Sequence, residues 1–191
     1  VNATRVGEAA KWIIPTARAA SNKLRDWGMK DGQNLNFVGH SLGTLMATEI
    51  AIEMGGANTA TMLDPASQLT PYEFLFRDYD LDGSNDSNQA ALKRFPNNYF
   101  SNHFNFSRAL VGAASRAGSD RLSRTAHEEF EIQFDSYSGS VISEHFVVVT
   151  TFEKLNRDYR LYNDYLTLQN NQRNSIFNSD FNGFDGVFRV R

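Results

Sequence analysis

The stretch from Leu35 to Leu63 leaves this chain few folds to choose from. LNFV (35–38) is a short apolar run of the length that suits a buried strand. Gly39-His40-Ser41-Leu42-Gly43 follows as a turn, and TLMATEIAIEM (44–54) then returns to helical spacing until Gly55-Gly56 ends it. TATML (59–63) reads as a second strand, stopped by Asp64-Pro65. Strand, helix and strand with links this short predict a parallel pair joined by a crossover helix, and hence an α/β architecture.

The remaining segments extend that pattern. Upstream, Val6, Ala9, Ala10, Ile13, Ile14, Ala17 and Leu24 keep roughly helical spacing, with Pro15 predicting a kink or two shorter helices. Gly28 and the polar DGQN at 31–34 close that segment. Residues 66–106 are rich in Asn, Asp, Ser, Phe and Tyr with weak periodicity, which predicts a long excursion of loops and short helices. RALVGA (108–113) is a third strand candidate, EFEIQF (129–134) a fourth, and Val147–Tyr159 should return to helix. We expect one domain over residues 1–169, followed by a polar extension, or the start of a further region, over 170–191.

Composition excludes several classes of function. At 191 residues and 41% hydrophobic content the chain suits one globular domain, and no apolar run approaches the roughly 20 residues that span a bilayer. A net charge of −3 gives no electrostatic reason to expect a nucleic-acid partner. With no cysteine there is no disulfide framework, thiolate nucleophile or cysteine metal site. The chain opens at Val1 directly into a helical pattern, and we expect it to be a piece of a longer protein.

Ser41 is the candidate nucleophile. A Gly-x-Ser-x-Gly turn between a strand and a helix puts the serine on a strained backbone, and its glycines allow strand and helix to approach closely. The bland alternative is a serine that merely caps the helix. A hydroxyl attacks only when a base takes its proton and a third group orients that base. Asp64, 23 residues on and at the end of the next strand, is one candidate acid, because neighbouring parallel strands end in the same crevice. Asp120, 25 residues before His145, is the other. Of four histidines, His40 adjoins Ser41 and should point elsewhere, and His103 and His127 read as packing or surface residues. His145, expected on the loop after the fourth strand, is the preferred base.

FVGHSLG, then LDPA, then a histidine after the last strand resemble the α/β-hydrolase serine lipases, the pancreatic-lipase type above all. The resemblance covers about residues 1–160. It implies an α/β-hydrolase fold with a mostly parallel sheet flanked by helices, here truncated at its N-terminal strands. It also implies a triad of Ser41, His145 and Asp64, with Asp120 as the alternative acid, and an oxyanion donor in the Leu42 backbone amide. In that family a second donor and further strands come from upstream. Without them the nucleophile strand would be an edge open to self-association, and the resemblance implies that either another chain supplies those parts or this chain is a truncated catalytic half.

DYDLDGSND (78–86) alternates Asp78, Asp80 and Asp82 before a turn glycine, with Asp86 beyond, so a calcium ion is a candidate ligand. Gln89 stands where a helix-loop-helix calcium site needs a bidentate Glu, so that type of site is not expected. The resemblance adds a structural calcium in the loops after the catalytic Asp, and with it a secreted, haemolysin-type calcium-binding parent protein. No organic cofactor is expected. Phe95, Tyr99, Phe100, Phe104 and Phe106 either line an acyl groove or form core. The leading expectation is hydrolysis of a lipid ester. The alternatives are an esterase, thioesterase or peptidase on the same scaffold, or a non-catalytic domain that keeps the shape for binding.

Overall fold

The computed structural model describes residues 9, 12–66, 96–112, 120–134, 141–157 and 186–190. Helix α1 spans Ile13–Asp26, strand β1 Asn36–His40, helix α2 Leu42–Glu53 and strand β2 Ala57–Leu63. Strand β3 follows at Phe104–Gly112, the short helix α3 at Asp120–Ser123, strand β4 at Glu128–Phe134, helix α4 at Val141–Arg157 and strand β5 at Gly186–Val190. The strands form one sheet in the order β1-β2-β3-β4-β5, and every neighbouring pair is parallel. This is an α/β fold, and the crossover expected between Leu35 and Leu63 is present with register His40 opposite Leu63.

Pro15 does not kink α1; Ala9 is helical and Trp12 is a turn, so the helical pattern is interrupted ahead of Ile13, as the second of the two expected outcomes has it. Pro15 occupies the third position of α1, within the first turn, where a backbone N–H has no partner in the helix in any case. Helix α2 is apolar and buried around most of its circumference, with Leu45 and Ala51 fully enclosed and Thr44, Ala47, Thr48 and Glu49 also buried. A helix apolar all round needs cover on several sides, and α2 finds it between α1 and the sheet.

Strand periodicity decides what each face of β1 meets. Phe37 and Gly39 face α2 and the core, where Phe37 meets Phe104 edge to face at 6.0 Å. A Cβ on Gly39 would stand 2.6 Å from the Gly43 carbonyl oxygen, so only glycine lets α2 pack this close. At Gly43, by contrast, a Cβ would meet nothing within 4 Å among the described residues. The close-approach argument therefore holds for one of the two glycines. The opposite face carries Asn36, Val38 and His40, and α4 covers it at His40.

Phe100 and Phe104 join the main core with Tyr99, and Tyr99 donates its hydroxyl to the buried Glu49 carboxylate at 3.1 Å. Phe106 is buried beside them, with the Arg108 guanidinium 4.8 Å from its ring centroid and His127 stacked on it. Of the two roles open to these aromatic residues, the structure assigns core packing to these four, and Phe95 lies outside the described residues. Each such burial contributes roughly 1.5–3 kcal/mol. Among the described residues no helix is long and apolar enough to cross a membrane.

Candidate functional site

The site lies where β1, β2 and β3 end together. Ser41 directly follows β1 at φ 55° and ψ −125°, a combination that a non-glycine residue holds only at a cost of about 1–3 kcal/mol. Its neighbours hold it there. The Ser41 amide donates to the Leu63 carbonyl at 3.0 Å, and the Ser41 carbonyl accepts from the Thr44 amide at 3.0 Å and the Thr44 hydroxyl at 2.7 Å. The Ser41 side chain makes no cap hydrogen bond to α2, which argues against a plain helix cap. Leu42 and Gly43 open the helix, and first-turn amides have no acceptor within it. The Leu42 amide is one of these first-turn donors, directly after Ser41.

Asp64 ends β2 in the same manner, also in a left-handed conformation, at φ 43°. Asparagine and aspartate tolerate this region better than most residues. Its amide donates to the Leu110 carbonyl at 2.7 Å, which fixes it across β3. The side chain is fully buried and both carboxylate oxygens have partners. Oδ1 accepts from the Gly112 amide at 3.4 Å, and Oδ2 accepts from Nδ1–H of His145. An ionised carboxylate only accepts, so the proton of that second bond sits on Nδ1 of His145, and a neutral imidazole so held carries its lone pair on Nε2. A buried imidazole held in this tautomer can take a proton from a hydroxyl presented to Nε2.

His145 does not lie on a loop. Helix α4 begins at Val141, so His145 is its fifth residue, and it is buried at 5% exposure. The β-branched run VVV at 147–149 suggested the helix start there, but α4 already includes the preceding turn. Asp120, the other acid considered, opens α3, whereas the carboxylate that meets His145 belongs to Asp64.

His40 departs from expectation most. It does not point away from the site. Its Nε2–H donates to the His145 carbonyl at 3.0 Å, and its ring lies 4.4 Å from the His145 ring, centroid to centroid. Phe146 stands 5.6 Å from both rings and is more than half exposed. Burial, then the nearby His145, push the His40 pKa down, while the bond to the His145 backbone and the Asp64 charge pull it up; the net direction is down. Alternation along β1 could have shown the face that the ring occupies, because a Gly39 facing α2 obliges His40 to face the other way.

His127 is a packing residue, as expected. Its Nδ1 accepts from the Ser107 amide at 3.0 Å and lies 2.9 Å from the Ser107 hydroxyl, and burial lowers its pKa. Sequence reading missed the buried pair Arg108–Glu128, neighbours across β3 and β4 with Nε 3.6 Å from Oε2. Asp78, Asp80, Asp82 and Asp86, the calcium candidates, lie outside the described residues, as does Gln89. Among the described residues there is no group of three or more acidic or histidine side chains that could hold a metal ion. The chain matches no family model, no curated protein and no solved structure.

Proposed function

We propose that this chain is a serine hydrolase of carboxylic esters, of α/β-hydrolase type. Ser41 is its nucleophile, His145 its base, Asp64 the acid that orients the base, and the Leu42 amide an oxyanion donor. One observation carries the reading: a serine held at φ 55° stands on the same sheet edge as a buried carboxylate bonded to a histidine Nδ1. Strain of this kind persists only where the surroundings enforce it, and it clusters at functional sites.

The chemistry follows from the tautomer. Nε2 of His145 takes the Ser41 proton as the hydroxyl oxygen attacks the acyl carbon. The imidazolium so formed is stabilised by Asp64, which remains ionised, and the oxyanion takes the Leu42 N–H. His145 returns the proton to the departing alkoxide, and water repeats the sequence on the acyl-serine. The exposed Phe146 ring beside the histidines favours an apolar acyl group, in keeping with a lipid ester.

Labelling with a fluorophosphonate, read by intact mass, tests the reading. The parent should gain one phosphonyl group, Ser41→Ala should gain none, and ester turnover should vanish with it. A folded parent that neither labels nor turns over an ester would overturn it.

A further inference from the structure

The sequence motif holds a second chemistry-bearing side chain, and the triad as proposed does not use it. Asp64 grips His145 at one atom, Nδ1. One hydrogen bond fixes a distance but does not by itself set the direction of the ring. His145 also rides on α4, 105 residues along the chain from His40, so its position at the strand ends depends on how that helix seats against the sheet.

His40 meets both needs. Its Nε2–H reaches the backbone carbonyl of His145, which ties α4 to the last residue of β1. Its ring lies against the His145 ring at 4.4 Å and 39°, which restricts rotation of the imidazole. Ser41 is the next residue, so one backbone turn sets the nucleophile and holds the base together. We propose that His40 is a positioning residue that sets the seat and direction of the His145 imidazole. This rests on the triad reading above.

Among the described residues, two titratable groups face His40: His145 from α4 and Asp64 from the end of β2. Burial favours the neutral form of His40, which keeps the Nε2 donor without placing a second cation beside the imidazolium of the reaction.

Two variants separate the donor from the ring. His40→Gln places an amide N–H near the position of Nε2. His40→Phe keeps a ring and removes the donor. Thermal melts followed by circular dichroism establish that each is folded, and kcat and KM are measured on a soluble nitrophenyl ester. A displaced base should lower kcat of His40→Phe by about 10²-fold with KM changed less than about twofold. His40→Gln should recover at least about tenfold of that loss. Proton NMR supplies a readout that needs no turnover: the low-field resonance of the His145 Nδ1 proton, assigned by its loss in Asp64→Ala. It should be sharp in the parent and His40→Gln and broadened in His40→Phe. Parent-like kcat and an unmoved resonance in His40→Phe would overturn the proposal. So would a His40→Gln as impaired as His40→Phe with the resonance intact in both. If the parent proves inert to fluorophosphonate, the triad reading fails by itself, and the resonance decides on positioning alone, sharp or broadened as above.

Discussion

Replacing Asp64 by Asn tests the acid with little change in shape. Asparagine tolerates the left-handed backbone at φ 43°, so the turn should survive. What changes is which way the amide faces. The Gly112 N–H donates to Oδ1, so the Asn oxygen must stay on that side; the reverse orientation would set an NH2 against an N–H. The Asn nitrogen is then presented to Nδ1 of His145, where the carboxylate stood. Nδ1 must now accept, and the proton moves to Nε2, the atom that has to take the serine proton. The base is present but in the wrong tautomer. A defect of this kind costs about 10⁴ in kcat, which is about 5.5 kcal/mol of transition-state stabilisation. Binding of the ester does not involve Asp64, so KM should stay within about threefold. Steady-state hydrolysis of a nitrophenyl ester by the parent, Asp64→Asn and Asp120→Asn measures this directly. If Asp64→Asn keeps a tenth or more of parental kcat while Asp120→Asn loses activity, Asp64 is not the acid and the tautomer argument fails.

Other perturbations probe the parts around the proposed triad. Ser41→Gly should abolish labelling yet raise stability by about 1 kcal/mol, a Tm increase of about 2–4 °C, because glycine accepts the backbone that strains serine; an unchanged or lower Tm would contradict strain at Ser41. Gly39→Ala should lower stability by about 1–3 kcal/mol in denaturant titration, since its Cβ would stand 2.6 Å from a backbone oxygen, whereas Gly43→Ala should be tolerated. Glu128→Ala removes the buried carboxylate 3.6 Å from the Arg108 Nε and should lower stability in urea unfolding. For His40 and His127, burial lowers the folded-state pKa below the ordinary 6.5, so the unfolded chain binds more protons in that window. Stability should therefore be full above pH 6.5, fall as pH drops through the ordinary value and level off below the folded-state values, and the double variant His40→Gln, His127→Gln should flatten that slope in Tm measured across the range.

The coarse fold was legible because it depends on local pattern. The βαβ unit at 35–63 is written in run lengths and glycines, and a parallel sheet follows from the length of its links. Ser41 was legible for the same reason: strain at a strand-to-helix turn is a local property. Asp64 was half legible, since its place at a strand end could be read, but its partner depended on which neighbouring strand lay beside it. The start of α4 was missed because β-branched residues at 147–149 read as a boundary, while packing against β3 carries the helix across it. His40 shows where local reading stops. Strand alternation states which face of β1 the ring occupies, but not which helix covers that face. That requires knowing that a segment 105 residues away returns to the same sheet edge. A contact of that separation is decided by topology. Histidine is the residue type for which the omission matters, because its meaning changes with the atom it meets. A backbone carbonyl at Nε2 makes His40 a donor that holds a helix, and a carboxylate at Nδ1 suits His145 to the base proposed for it, though neither residue is distinguished from His103 or His127 by composition or periodicity.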